Sequence, residues 1–277
     1  MKPWTDRQGR FSVLRTLAYV IAITPAIVIA YWFFTGALQP LSVKNALHLC
    51  GDWAIRFLVL TLALTPLMRV FNYTKLALIR RVSGVTAFSY ALAHFILYIV
   101  FVKYDLGFVA SEIYHRFYLT IGFVALIGLC LLAGTSFDAA IRKLGGNWKR
   151  LHQLSYGIAV LGLFHYFLQS KIDVSPATLM TGLFLLAMTI RVMIYRRMAL
   201  NLWSLTAAAI IACVLTIGVE YAWYGLATGV NPLKVFWANF QVKFGLRPAA
   251  EVLVVGIVAA GLSAAYAYSK KRTRKRA

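Results

Sequence analysis

The sequence feature that most limits the possible fold is a series of apolar segments, each about 20 residues long, joined by short connections. An α-helix of about 20 apolar residues crosses the hydrocarbon core of a bilayer. Eight such segments can be assigned, at about 14–35, 46–66, 82–102, 117–135, 151–169, 177–195, 203–224 and 249–268. The sequence therefore predicts an all-α, polytopic membrane helix bundle, in which no connection is long enough for a separate soluble domain.

The composition agrees with this class and argues against a nucleic-acid partner. Charged residues make up 13% of the chain and hydrophobic residues 61%, whereas a soluble domain averages about 25% charged residues. The net charge of +21 comes from basic residues in short stretches between apolar runs, which are too short to form a nucleic-acid-binding domain. Membrane lipid is the partner that this pattern indicates.

The basic residues also predict an orientation. Cytoplasmic loops of membrane proteins are enriched in Lys and Arg. The rich stretches are the two ends of the chain and every second connection, and the connections between them are poorer. The basic residues of the rich stretches include Lys2, Arg7, Arg10, Arg15, Arg69, Lys75, Arg80, Arg81, Arg142, Lys143, Lys149, Arg150, Arg191, Arg196, Arg197 and the tail KKRTRKR. The poorer connections contain Lys44, Lys103, Arg116 and Lys171, and only the last outer connection, with Lys234, Lys243 and Arg247, departs from the pattern. Both termini are therefore predicted to be cytoplasmic, in a bacterial inner membrane.

Three of the five histidines occupy informative positions. His94 lies in the middle of the third apolar segment, His165 in the outer part of the fifth, and His152 at the cytoplasmic start of the fifth. His152 and His165 are 13 residues apart, or about 20 Å along a helix. The distance from Arg80 to His94 is nearly the same. We therefore expect His94 and His165 at one height, and His152 at the height of Arg80 or Arg81.

Two facing imidazoles at one height are the arrangement that axial ligation of a haem iron requires. A single intramembrane histidine can instead hydrogen-bond to a neighbouring helix, but a height-matched pair with a third histidine one step below favours ligation. Ala91 and Gly162 lie three residues before His94 and His165. These small residues would either leave room for a porphyrin or allow close helix packing.

Other polar residues in the segments have simpler interpretations. His48 is a candidate alternative iron ligand, a relay to an outer partner, or an interfacial residue, and His115 is expected to be solvated. Asp52 and Arg56 are spaced for an i,i+4 pair. Glu220 is expected at the membrane interface.

The sequence lacks several motifs that would indicate other chemistry. No pair of cysteines has metal or redox spacing, and no G-x-G-x-x-G motif follows a strand. The chain therefore cannot take hydride from a nicotinamide cofactor unaided, and a separate reductase or a membrane quinol has to supply electrons.

The motifs around these histidines resemble those of a known family. The stretch HLCGDWAIRFLVLTLALTPLMR is followed by RRVSGVTAFSYALAHFILY and then by LGGNWKRLHQLSYG with His165 downstream. This order is similar to that of the MsrQ (YedZ) family, in the ferric reductase-like transmembrane group. The resemblance covers residues 10–195 and implies a haem-binding transmembrane domain there. Residues 200–277 depart from the family plan, and we expect an additional two-helix membrane extension with a basic cytoplasmic tail.

The resemblance implies a six-helix core that binds haem b and FMN. Electrons would pass from the quinone pool, or from a cytoplasmic flavin reductase, to a periplasmic molybdopterin methionine sulfoxide reductase, MsrP. His94 and His165 would ligate an outer haem and His152 an inner haem. Arg80 stands where two-haem relatives have a second histidine, so the number of haems stays open at one or two. Arg80, Arg81 and the other basic inner loops are candidate contacts for a cofactor phosphate.

The resemblance places no catalytic residue in this chain, because the sulfoxide chemistry belongs to the partner. Two alternatives stay open from the sequence. One is a stand-alone transmembrane ferric or quinone reductase with the same helical core. The other is a non-redox membrane transporter with incidental histidines.

Overall fold

The computed structural model describes residues 5, 9–170, 173–241 and 245–274, and describes side chains up to residue 270. Lys2, Arg7, Lys171, Lys243 and the side chains of the basic tail from residue 271 onward lie outside this range. The regular structure of the described residues is helical, apart from one isolated bridge between Thr5 and Phe11. The helices are α1 (Val13–Phe34), α2 (Ser42–Val70), α3 (Ala77–Phe101), α4 (Leu106–His115), α5 (Phe117–Gly134), α6 (Asp138–Leu144), α7 (Gly146–His152), α8 (Leu154–Gln169), α9 (Ser175–Tyr195), α10 (Leu202–Ala227), α11 (Pro232–Ala238) and α12 (Pro248–Arg274).

The prediction of an all-α polytopic membrane bundle is confirmed. Within the described residues, seven helical stretches are long and apolar enough to cross a membrane, namely α1, α2, α3 with its preceding 3₁₀ turn, α5, α9, α10 and α12 up to Lys270. The eighth predicted segment corresponds to α8, which has 16 residues and is shorter than the other seven. The helix count of eight and the cytoplasmic termini therefore remain predictions.

The fifth apolar segment differs from the prediction at its start. The segment was expected to run from residue 151, but the structure ends α7 at His152 and begins α8 at Leu154. Gly145 joins α6 to α7 with a φ of 52°, a conformation that glycine adopts without steric cost. His152 therefore lies on a short helix that precedes α8, and α8 carries His165.

The described chain forms two compact units, and the first comprises residues 1–64 and 75–169. In this unit α3 packs against both α1 and α2. The Tyr90 hydroxyl donates to the Ala22 carbonyl at 2.9 Å, and its ring stacks on Phe57 at 5.6 Å between centroids. The Thr61 hydroxyl donates to Ser83 Oγ at 2.9 Å. These bonds satisfy polar groups that a bilayer would otherwise leave unpaired.

Close contacts extend this packing to α5 and α8. Phe95 of α3 lies 5.7 Å from Phe123 of α5, between ring centroids. A Cβ added at Gly162 of α8 would lie 3.0 Å from Cδ1 of Ile55 on α2. Gly162 thus lets α8 approach α2, which supports the packing interpretation of this residue.

The second unit comprises residues 65–74 and 170–277, and small residues let its helices pack closely. A Cβ at Gly182 of α9 would lie 2.5 Å from both Thr216 of α10 and Val252 of α12. Ser263 of α12 donates to the Val70 carbonyl at 2.8 Å. Helix α9 belongs to this unit, whereas the family-based division placed it with residues 10–195. That division remains a prediction about homology.

Candidate functional site

The imidazole rings of His94 and His165 lie next to each other in the first unit, in an edge-to-face arrangement. Their centroids are 6.3 Å apart and their planes are 84° from parallel. His94 comes from α3 and His165 from α8, so two helices far apart in sequence deliver the rings to one height. Both residues are partly buried.

Each ring is hydrogen-bonded to a backbone carbonyl of a neighbouring helix, and the two carbonyls belong to different helices. His94 Nδ1 lies 2.8 Å from the Leu47 carbonyl of α2, and His165 Nδ1 lies 2.7 Å from the Tyr118 carbonyl of α5. A carbonyl only accepts, so both Nδ1 atoms carry the proton and donate it. This leaves the lone pair on each Nε2, and a hydrogen bond of this kind is the usual second-shell support of a ligating histidine.

A glycine one turn beyond each carbonyl lets the ring approach its helix. A Cβ added at Gly51 would lie 3.0 Å from His94 Nδ1, and one added at Gly122 would lie 2.7 Å from His165 Cε1. A contact below 3.0 Å is one that real Cβ atoms essentially never make. The His165 ring therefore occupies space that a Cβ at Gly122 would need, whereas a Cβ at Gly51 would require the His94 ring to shift by a few tenths of an ångström.

The two halves of the site repeat the same spacing. Each histidine follows its carbonyl partner by 47 residues. The carbonyl partner, the glycine and the histidine of one half are residues 47, 51 and 94, and those of the other half are residues 118, 122 and 165. The spacing between the three residues is the same in both halves. Sequence reasoning did not find the carbonyl and glycine partners, although the equal separation of the two glycines and the two histidines was a visible signal.

The ring geometry fits a haem iron. A bond from a metal to an imidazole nitrogen is about 2 Å, so two imidazoles on opposite sides of one metal ion have ring centres about 6 Å apart. The observed 6.3 Å agrees with this value. No cluster of three or more His, Cys, Asp or Glu residues occurs in the described part of the chain. A porphyrin would supply the other ligands of an iron held by these two rings.

His152 has different neighbours, and no second imidazole faces it among the described histidines. Its Nε2 lies 3.2 Å from Thr135 Oγ1, and its ring stacks on Trp148 at 4.1 Å. Trp148 in turn donates to the Thr135 carbonyl at 2.9 Å. Burial and then the positive charge of Arg80 lower the pKa of His152, so this imidazole is neutral at pH 7. These contacts join α7 to the end of α5.

The remaining candidate residues lie apart from the histidine pair. Arg80 is exposed near His152, and Arg81 forms an ion pair with Asp138 of α6. His115 is exposed, as expected, and its Nδ1 lies 2.8 Å from the Ser111 carbonyl.

His48 lies at an open cavity near the start of α2 rather than in the ring pair. Asp52 lines the same cavity. Its expected partner Arg56 instead places its guanidinium 4.8 Å from the centre of the Trp53 ring. The i,i+4 ion pair predicted for Asp52 and Arg56 is therefore absent from this part of the structure.

Glu220 also differs from its prediction. It was expected at an interface, but only 1% of the residue is exposed. Its carboxylate forms an ion pair with Arg247 and accepts a hydrogen bond from Asn239 Nδ2 at 2.9 Å. Both partners lie far from Glu220 in sequence, in the stretch between α11 and α12, so the sequence around Glu220 did not reveal them.

Comparison with known proteins places this arrangement in a family. The family model described as ferric reductase like transmembrane component matches residues 50–163 of this chain. A protein of Agrobacterium fabrum (strain C58) is 42% identical over 154 residues, which are 55% of this chain and 71% of the relative. A protein of Rhizobium meliloti (strain 1021) is 39% identical over 62% of this chain and 79% of its own length.

A third relative, from Brucella ovis, is 41% identical over 61% of this chain and 76% of its own length. All three are named protein-methionine-sulfoxide reductase heme-binding subunit MsrQ. No solved structure matches the chain. With identities near 40% over more than two thirds of these relatives, the chain belongs to the MsrQ family.

Proposed function

We propose that this chain is the haem b-binding membrane subunit of a protein-methionine-sulfoxide reductase and carries electrons across the inner membrane to a periplasmic partner enzyme. The observation that supports this proposal most strongly is the His94–His165 ring pair, with a centroid separation of 6.3 Å. The names of the MsrQ relatives point to the same cofactor. The sequence contains no C-x-x-C-H motif, so the haem is a non-covalent one.

When bound, the haem supplies reversible one-electron oxidation and reduction. His94 and His165 would both hold the iron through Nε2, and the haem would then supply electron transfer rather than the binding of a substrate or of oxygen. This supports a conduit whose catalytic chemistry takes place elsewhere.

The protein positions the two imidazoles before the cofactor arrives. The carbonyls of Leu47 and Tyr118 fix the tautomer and orientation of the rings, and donation from Nδ1 makes each Nε2 a better electron donor to a metal. Gly51 and Gly122 keep both rings close against their helices. Rings held in this way change little in geometry when the charge on a bound metal changes.

The proposed electron acceptor is an MsrP-like molybdopterin enzyme in the periplasm. Oxidation converts methionine from an apolar into a polar side chain, and its reduction restores the protein. We propose no catalytic residue in this chain for that reaction. The proposed donor is the quinone pool or a cytoplasmic flavin reductase.

Two finer features belong to the same proposal. FMN would bind near the basic inner connections. Because Arg81 already forms an ion pair with Asp138, the exposed Arg80 is the better candidate to bind the FMN phosphate. A second haem would have to use His152, whose Nε2 is now next to Thr135. One haem per chain is therefore the stoichiometry that we favour.

Reconstitution with the partner tests the function. The haem-loaded protein in liposomes, a soluble MsrP-type reductase outside them and a quinol donor should together reduce a methionine sulfoxide peptide. The His94→Ala and His165→Ala variants should lose this activity. A haem-loaded wild-type protein that reduces ferric chelates at full rate, but never supports sulfoxide reduction, would favour the stand-alone reductase instead.

A further inference from the structure

A cavity of about 460 Å³ lies beside the first turns of α2, in the first unit. It is lined by the end of α1, the connection that follows and one face of α2, namely Trp32, Ala37, Leu38, Asn45, His48, Leu49 and Asp52. Sites for small organic molecules have volumes of about 300–1,000 Å³ and combine apolar walls with a few polar groups. This cavity has both properties.

The polar groups of the cavity share one face of α2. His48 and Asp52 are one helical turn apart, so their side chains point in the same direction. Asn45, one turn earlier, donates from Nδ2 to the Leu38 carbonyl at 2.8 Å and so ties the connection to the helix. The cavity is thus lined by an imidazole and a carboxylate together with the ring of Trp32 and the side chains of Leu38 and Leu49.

The cavity lies beside the site of His94, on the same two turns of α2. His48 follows Leu47, whose carbonyl binds His94, and Asp52 follows Gly51, against which the His94 ring packs. Successive residues of an α-helix are about 100° apart around its axis, so the cavity and His94 occupy adjacent faces of α2.

Exposed apolar side chains are close in sequence to the residues that line the cavity. Phe34, the last residue of α1, is 85% exposed, and Leu41, just before α2, is 51% exposed. Exposed side chains of this kind, at the end of a membrane-crossing helix, face lipid. A ligand that travels in the bilayer can therefore reach the cavity.

We propose that this cavity binds a membrane hydroquinone and that His48 and Asp52 accept its two protons. The inference rests on the proposed electron-transfer function and names its donor. In the reaction both O–H bonds of the hydroquinone break, and the product is the quinone. The two electrons would leave one at a time to the haem that His94 and His165 would hold, and that haem would pass the first electron to its acceptor before it takes the second. One proton goes to the imidazole and one to the carboxylate.

Photolabelling tests the binding without relying on activity. The haem-loaded protein in lipid nanodiscs is irradiated with an azido-substituted ubiquinone, digested and analysed by mass spectrometry. We expect label within residues 32–52, and excess decylubiquinol should suppress it. A label that falls only elsewhere in the chain, or one that excess quinol does not suppress, would overturn the assignment.

Kinetics then test the two polar residues. The His48→Gln and Asp52→Asn variants should be reduced by decylubiquinol about tenfold or more slowly, because general acid–base groups typically contribute factors of about 10² or more. Ala37→Phe, which fills the cavity, should slow the reaction and remove the label. His115→Gln is the control, because His115 is exposed at another connection and should not affect the rate.

A dithionite-reduced spectrum separates this inference from the function on which it rests. Variants that keep the full haem spectrum but lose quinol reduction support the cavity site. Unchanged quinol rates in all three cavity variants would overturn the site and leave the haem function intact with another donor. A wild-type protein that binds no haem would instead overturn the proposed function itself.

Discussion

The close contact between Gly122 and His165 allows a sharp test of how the histidine pair is held. An alanine Cβ at position 122 would lie 2.7 Å from Cε1 and 2.8 Å from Nδ1 of His165. The ring cannot move away from α5 without lengthening its 2.7 Å bond to the Tyr118 carbonyl. The Gly122→Ala substitution therefore forces either a shift of the helices or the loss of this hydrogen bond.

The expected cost can be worked out from these contacts. Overpacking a tight interior site costs about 1–3 kcal/mol, and a lost hydrogen bond costs about 0.5–1.5 kcal/mol. A combined loss of about 2 kcal/mol or more lowers affinity by a factor of about thirty. Gly51→Ala should have a milder effect, because its Cβ would lie 3.0 Å from His94 Nδ1.

The assay is haem retention. The haem-to-protein ratio after purification, from a pyridine haemochrome spectrum, and the rate of haem transfer to excess apomyoglobin should both rank Gly122→Ala as the most affected variant. Gly157→Ala is the matched control, because it lies on α8 with His165 and nothing lies within 4 Å of its added Cβ. Normal haem content and release rate in Gly122→Ala would refute the idea that α5 holds the ring.

Three further outcomes are expected. Arg247→Met should leave the Glu220 carboxylate buried without its charge partner and lower the free energy of unfolding by about 3 kcal/mol or more, measured by thermal or denaturant unfolding in detergent. Arg116→Met, at an exposed ion pair, should show no comparable loss. Equal losses in the two variants would contradict the role given to burial. His152→Ala should keep the haem-to-protein ratio of the wild type, whereas half the wild-type ratio would establish a second haem at this residue. Trp148→Phe should lower the free energy of unfolding by about 1 kcal/mol, through loss of its bond to the Thr135 carbonyl, and leave the haem spectrum unchanged. A shifted Soret band would instead indicate that Trp148 contributes to the haem site.

The apolar segments predicted the fold well because the length of a membrane helix is set by the bilayer. The juxtaposition of His94 and His165 followed from counting residues along two helices with the same direction. The rotation of each helix about its axis could not be obtained in this way. For that reason the Leu47 and Tyr118 carbonyls, and the glycines one turn beyond them, emerged only from the structure.

Other differences have the same physical origin. The break between α7 and α8 was missed because the polar residues around His152 and Gln153 were counted as the cytoplasmic start of the fifth segment, and no proline marks a break there. Glu220 was placed at an interface because its partners lie far along the chain, and only tertiary packing brings Arg247 to it. Pairing of distant polar residues is the part of a membrane protein that hydropathy does not encode.

The most direct test of the central claim is the low-temperature EPR spectrum of the oxidised, haem-loaded protein, recorded together with its haem content. Two axial imidazoles with planes 84° apart should give a low-spin signal of the highly anisotropic type. The account predicts that signal in the wild type and its loss in both His94→Ala and His165→Ala. A low-spin signal that persists unchanged in either variant, or a well-folded wild-type protein without haem after expression with ample haem supply, would contradict it.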